Sequence, residues 1–220
     1  MHTLKKFLSA DGLVANALER SVRGFAQDPL LESASVLDLG CGTMPYRHIF
    51  SHAAQYIGAD IDGDPDLLIR PDAPLPLDDG SFDVVVSFQV LEHVRDVSGY
   101  LESAKRVLKP GGRLFLSTHG VWPYHPHPTD YWRWTRDGLQ EIIGDAGFHV
   151  VKITPLCGPA AWMSMFPALA AKKLLGPASW LLAPFNLAVN LLAGIADRLT
   201  PSAIKDTNAA VYAVEAVRRA

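Results

Sequence analysis

Asp38, Gly40, Cys41 and Gly42 stand within five positions of one another, at the end of the apolar run Val36-Leu37-Asp38-Leu39. A carboxylate beside two glycines at the end of a buried strand builds a nucleotide-type site. The glycines can take positive φ and let a ligand approach the backbone, and open α/β sheets bind ligands at the carboxyl ends of their parallel strands. A second acid, Asp60, ends the next apolar run, Tyr56-Ile57-Gly58-Ala59, about one strand and crossover later. There it can accept both hydroxyls of a ribose. Asp62 competes for that role but also belongs to the polar turn Asp62-Gly63-Asp64-Pro65, so Asp60 is preferred. Pro45 occupies the place of the third glycine in a dinucleotide fingerprint, which argues against a nicotinamide enzyme.

A second group of reactive side chains, His119, His125, His127 and Asp130, lies in the aromatic stretch from Thr118 to Trp134. An imidazole titrates near neutrality and can take a proton from a hydroxyl group. His125, His127 and Asp130 are therefore the candidate catalytic residues. The alternative is a structural loop in which Trp132 and Trp134 wedge under the sheet and Asp130 pairs with Arg133. The histidine spacing fits no common zinc site. Gln89, Glu92 and His93 would share one face of a helical turn, but the amide is a poor ligand for a hard cation. No metal is assigned.

Hydrophobic periodicity supplies the elements that must position these groups. Residues 9–27 have the spacing of an amphipathic helix. Strands are expected at 35–40, 55–60, 67–70, 82–88, 113–117 and 148–154, with a last one within 208–217. Helices are expected from about Tyr46, over 97–108, and from Thr135, with Lys109-Pro110-Gly111-Gly112 as a stop and turn. Only eleven residues separate Asp60 from Asp72, so the third strand must sit in a tight, irregular corner. Alternating helices and strands make a doubly wound α/β sheet. With 220 residues, 49% of them hydrophobic, the chain forms one domain with an elaboration. A net charge of −3 gives no basic stripe for nucleic acid. Two cysteines and an N-terminus without a signal-peptide core point to the cytoplasm.

The ordered series Asp72-Ala73, Leu75-Pro76-Leu77, Asp79 to Val86, Val90 to Val94 and Arg106 to Gly112 completes a pattern. Over roughly residues 33–155 the chain closely resembles class I S-adenosylmethionine-dependent methyltransferases. Met44-Pro45-Tyr46-Arg47, after Gly40-Cys41-Gly42-Thr43, and the run from His127 to Thr135 resemble a type 11-like subgroup associated with glycan or lipid-linked biosynthesis. The resemblance implies a Rossmann-like seven-stranded mixed sheet in the order 3-2-1-4-5-7-6 with the last strand antiparallel. It implies S-adenosylmethionine as cofactor, its methionine part over Asp38, Gly40, Cys41 and Gly42, and its ribose on Asp60. Asp72 would receive the adenine amino group, and Gln89 would lie against the cofactor. The chain then divides into a helical segment (1–32), the cofactor-binding core (33–155), an apolar helical insertion (156–205) and the final strand (206–220).

The expected reaction is methyl transfer, at oxygen, to a small-molecule, glycan or lipid-linked acceptor. Rival readings are a cofactor-binding scaffold and a protein or nucleic-acid methyltransferase. From Leu174 to Ala196 there are 23 residues without a charge, long enough on paper to span a bilayer. The strands on either side belong to one sheet, however, so a single crossing would separate them. A helical hairpin is expected, serving as a lid, a homodimer contact or a peripheral patch on the inner membrane face. In that last role Trp162, Met165, Phe166, Trp180 and Phe185 would dip among headgroups.

Overall fold

The structure, a computed structural model, describes residues 8–71 and 73–219. Its frame is one sheet of seven strands: β1 (Ser35–Leu39), β2 (Gln55–Asp60), β3 (Leu67–Leu68), β4 (Phe82–Phe88), β5 (Leu108–His119), β6 (Phe148–Leu156) and β7 (Val211–Arg218). Their order is 3-2-1-4-5-7-6, with β7 antiparallel to both its neighbours. β1 and β4 are almost wholly buried because helices cover both faces of the sheet. On one face α2 (Val97–Val107) and α3 (Arg136–Asp145) press Leu101, Leu139 and Ile143 against Leu37, Val85 and Leu114. On the other, α1 (Gly12–Ala26) lays Leu18, Val22 and Phe25 on Val36, Val84 and Phe115.

Three local departures from the expected elements have physical causes. The glycine loop uses the chain through Tyr46, leaving eight residues before β2, and these form a 3-10 turn, Arg47–Phe50, in place of the expected helix. β3 has only two residues, and Asp66 makes up for its shortness: its carboxylate accepts from Gly58 N–H at 2.8 Å and from Arg47 at 2.6 Å. β5 starts at Leu108, straight after α2. Leu108 pairs with Phe82, residues 109–112 bulge outward with Gly111 at φ 75°, and pairing resumes between Arg113 and Val84. The expected stop is thus a bulge within the strand.

Between β6 and β7 the chain forms α4 (Pro159–Leu175), a 3-10 turn (Gly176–Leu182), α5 (Ala183–Leu199) and α6 (Ser202–Thr207). Asn186 and Asn190 on α5 donate to the carbonyls of Leu8 and Ser9 at 3.1 and 2.8 Å, which ties the hairpin to the approach to α1. Gly158 N–H donates to Asp197 at 2.5 Å and closes its base. Of the five side chains expected on an exposed patch, only Trp180 and Phe185 are exposed. Met165 is buried and Trp162 and Phe166 pack on the core, because Ala161, Met165 and Ala168 form the docking face of α4.

Candidate active site

The carboxyl ends of β1, β2 and β4 deliver one half of the site. After β1, Gly40 (φ 81°), Gly42 (φ 52°) and Met44 (φ 54°) all take left-handed backbone. A Cβ at Gly40 would lie 2.4 Å from Val90 Cγ2, so no side chain fits there. Met44 adopts a conformation natural to glycine, and its thioether and the Cys41 thiol fill the space over Gly58. The Asp60 carboxylate accepts from Gly42 N–H and Ile61 N–H, both at 2.6 Å, while Asp62 stays exposed in the following turn. Gln89, after β4, is also left-handed at φ 58°, and its amide donates to Ser117 Oγ at 3.0 Å. Strained non-glycine backbone of this kind clusters at ligand sites.

Asp38 lies buried beside this loop. Tyr56 donates its phenol hydrogen to Oδ2, and Oδ1 has no partner among the described residues. Burial pushes the Asp38 pKa up to about 7 against the opposing Tyr56 bond, and the Asp60 charge adds to the rise. Burial likewise pushes the Cys41 thiol up to about 12, so it packs as a neutral group. Asp38, Gly40, Cys41, Gly42, Asp60 and Gln89 therefore share one edge of the sheet. Asp72 lies outside the described residues.

The other half begins two residues after Val90. Glu92, in the 3-10 turn Leu91–His93, is completely buried. Its Oε2 accepts from Thr118 Oγ1 at 2.8 Å, and its Oε1 lies 2.9 Å from His119 Nδ1. Burial works to raise the Glu92 pKa, but the adjoining His119 imidazole and the Thr118 bond prevail and hold the carboxyl below its ordinary value. Oε1 and Nδ1 meet as an ion-pair contact and not as an in-line hydrogen bond, and because a carboxylate only accepts, any hydrogen between them belongs to Nδ1. Trp122 stacks on the His119 ring at 4.4 Å and 7°, fixing its plane. The result is an oriented imidazole backed by a buried anion.

His125 and His127 stand nearby. The His125 ring centroid is 4.7 Å from His127, 5.8 Å from His93 and 5.9 Å from His119. Partial desolvation, then the neighbouring imidazoles, hold His125 below its usual pKa. Asp130 has a different part. Arg133 grips both its oxygens at 2.6 Å, His125 N–H donates to it at 2.7 Å, and the Arg133 bonds hold its pKa down to about 2. A carboxylate so engaged orders the loop and is a weak base near neutrality. Arg133 also donates to the carbonyls of Trp122, Pro123 and Trp132. Tyr131 N–H donates to Glu92 O at 2.9 Å and Trp132 Nε1 to Val94 O at 2.8 Å, which folds the loop over the Glu92 turn. Among the described residues no three His, Cys, Asp or Glu side chains are arranged to hold a metal.

The Glu92–His119 pair is what sequence spacing alone does not bring together, since 26 positions separate the two residues. One signal was available: an acid within Val90-Leu91-Glu92-His93-Val94 can be buried only if it is paired.

A 3-2-1-4-5-7-6 sheet with its seventh strand antiparallel, a glycine loop after β1 and an acid after β2 defines the Rossmann-like class of S-adenosylmethionine-dependent methyltransferases. A family model described as a methyltransferase domain matches residues 11–153, and the chain belongs to that family. A probable S-adenosylmethionine-dependent methyltransferase of Mycolicibacterium smegmatis is 32% identical over 133 residues, covering 52% of each chain. A ubiquinone biosynthesis O-methyltransferase of Pseudomonas aeruginosa is 31% identical over 113 residues, covering 40% of this chain and 45% of its own. The chain thus spans about half the length of these relatives. A crystal structure of an S-adenosylmethionine-dependent methyltransferase from Mesorhizobium loti shares the fold at a TM-score of 0.56 and 18% identity, covering 96% of this chain and all of the other. The cofactor is S-adenosylmethionine. The site fits it: the unpartnered Asp38 oxygen suits its ammonium, the space beside Gly42 is open to its backbone, and Asp60 offers acceptors for its ribose hydroxyls.

Proposed function

We propose that this chain transfers a methyl group from S-adenosylmethionine to a hydroxyl oxygen of a small-molecule, glycan or lipid-linked acceptor. The cofactor supplies a methyl group on a sulfonium centre, whose leaving group is already good. The protein then has two tasks, alignment and removal of the hydroxyl proton. Alignment alone can supply roughly 7–11 kcal/mol. For the second task the observation that carries the reading is the buried Glu92–His119 pair. The Glu92 carboxylate, 2.9 Å from Nδ1, turns that side of the ring towards itself, leaving His119 Nε2 to take the acceptor proton and stabilising the resulting imidazolium. Val90 links the two halves, since it packs on Gly40 and stands two positions before Glu92. His125 and His127, with Arg133 and Asp130 ordering their loop, line the acceptor side.

Incubation with methyl-labelled S-adenosylmethionine and fractionated glycans and lipids tests the reading. Label should enter an alkali-stable ether, and Glu92→Gln and His119→Asn should each lower the rate about 10²–10⁴-fold while cofactor affinity is kept. An alkali-labile methyl ester, or full rates in both variants, would refute it.

A further inference from the structure

Among the described residues, much of the hairpin between β6 and β7 is exposed. The segment Pro159–Leu199 is long and apolar enough to cross a membrane by length and composition, with a mean hydropathy of 1.5 in its most apolar window, yet only 17% of that window is buried. The last buried residue of α4 is Ala168 and the first of α5 is Asn186, and the 3-10 turn between the helices buries none. The seven helical residues after Ala168 carry the tip about 10 Å beyond the packed part of the hairpin. Leu174 is 87% exposed, Trp180 71%, Phe185 59% and Leu181 57%. An apolar patch of this kind on a folded domain marks an interaction surface.

We infer that this tip, residues 172–185, docks on an anionic lipid bilayer as a monotopic anchor. The charge pattern selects that occupant. From Ala146 to Ala196 the sequence has no Asp or Glu, and exposed Lys172 and Lys173 flank the apolar tip. A second copy meeting tip to tip would bring four lysines together with no acid from either tip to offset them. The depth agrees as well: about 10 Å matches helices that sit at the headgroup–acyl boundary. Both legs of the hairpin return to the same side, since α4 follows β6, α5 and α6 precede β7, and β6 pairs with β7. The base of the hairpin adjoins the loop after β5: Trp162 Nε1 donates to Asn208 O at 3.1 Å, and Val121 N–H donates to the next residue's carbonyl, Ala209 O, at 2.9 Å. The inference stands on the hairpin alone and does not depend on the methyl-transfer chemistry.

Flotation of the intact protein with phosphatidylglycerol-containing and with pure phosphatidylcholine vesicles tests it. The protein should float with the anionic vesicles and more weakly with the neutral ones. K172Q/K173Q should lower partition on anionic vesicles about thirtyfold, at about fivefold per lysine, and leave neutral vesicles nearly unaffected. W180S/L181S should abolish flotation on both while keeping the circular dichroism spectrum and S-adenosylmethionine binding of the parent. An intact protein that stays soluble with both vesicle types overturns the inference, as does W180S/L181S floating like the parent. A dimer that dissociates in W180S/L181S, without any flotation of the parent, would assign the tip to a second copy instead.

Discussion

Cofactor affinity should rise with pH through the titration of Asp38. Burial lifts its pKa from 3.8 to about 7, roughly 3 units, so ionisation is disfavoured by roughly 4 kcal/mol. Below pH 7 the free protein therefore holds Asp38 mostly protonated, and its unpartnered oxygen lacks the charge that an ammonium would prefer. Binding of S-adenosylmethionine then requires loss of that proton. With a free-protein pKa of about 7, affinity should increase about eightfold from pH 6 to pH 7.5, with close to one proton released at pH 6. Above that the α-amino group of the ligand, which titrates near 7.7–8.0, brings the curve down again. Stability of the cofactor-free protein should run the other way. A raised carboxyl pKa favours the fold at low pH, and that contribution is lost as pH climbs from 3.8 towards 7. Calorimetric titration in buffers of different ionisation enthalpy reads the proton directly, and Asp38→Asn should flatten the profile. Affinity that is flat from pH 6 to 7.5, with no buffer dependence, would show that Asp38 does not meet the ammonium.

Asp60→Ala should weaken S-adenosylmethionine binding by about 1.5–3 kcal/mol, because a charged acceptor is lost, while Asp62→Ala should leave calorimetric affinity unchanged. If the pair behaves the other way round, the ribose acid is Asp62. Replacing both His125 and His127 by Ala should reduce turnover less than Glu92→Gln does, once an acceptor is in hand; a larger loss in the double variant would place the base on the loop. Arg133→Lys keeps the charge but not the planar fork that binds Asp130 and three carbonyls. It should lower stability by about 1–3 kcal/mol in urea denaturation, and an unchanged midpoint would show that the loop is held by its tryptophans.

The sheet was legible because its strands advertise themselves. Val36-Leu37 and Val84-Val85-Val86 are continuous apolar runs of the sort only a strand covered on both faces tolerates. Gly40 and Gln89 could be placed because each directly follows a strand, Asp60 because it ends one, and Gly42 because it stands two positions beyond Gly40. The connections were less legible. The missing helix before β2 and the bulge at 109–112 depend on how many residues remain after a loop takes its shape, and on where pairing resumes across the sheet. Neither leaves a periodic trace. His119 was visible only as one histidine among several, since its distinction comes from Glu92 on a different element. For Asp130 the sequence offered both a reactive carboxylate and a partner for Arg133, and only the folded loop shows Arg133 closing on both its oxygens.

The placing of β7 between β5 and β6 governs the order in which the molecule can be assembled. The sheet bonds of β6 run to β7, which is synthesised after the entire apolar hairpin. Until Val211 to Arg218 leave the ribosome, the half-domain through β5 can fold while β6 and the hairpin wait without an edge to join. During that interval α4 and α5 expose even the faces they later bury, and an apolar hairpin awaiting its strand is open to aggregation or chaperone capture. Assembly on a nascent chain should thus proceed in two stages, with insertion of β7 as the committing event. Shortening the chain from its C-terminal side into β7 should release a segment of some sixty residues, from β6 onward, rather than trim a single strand.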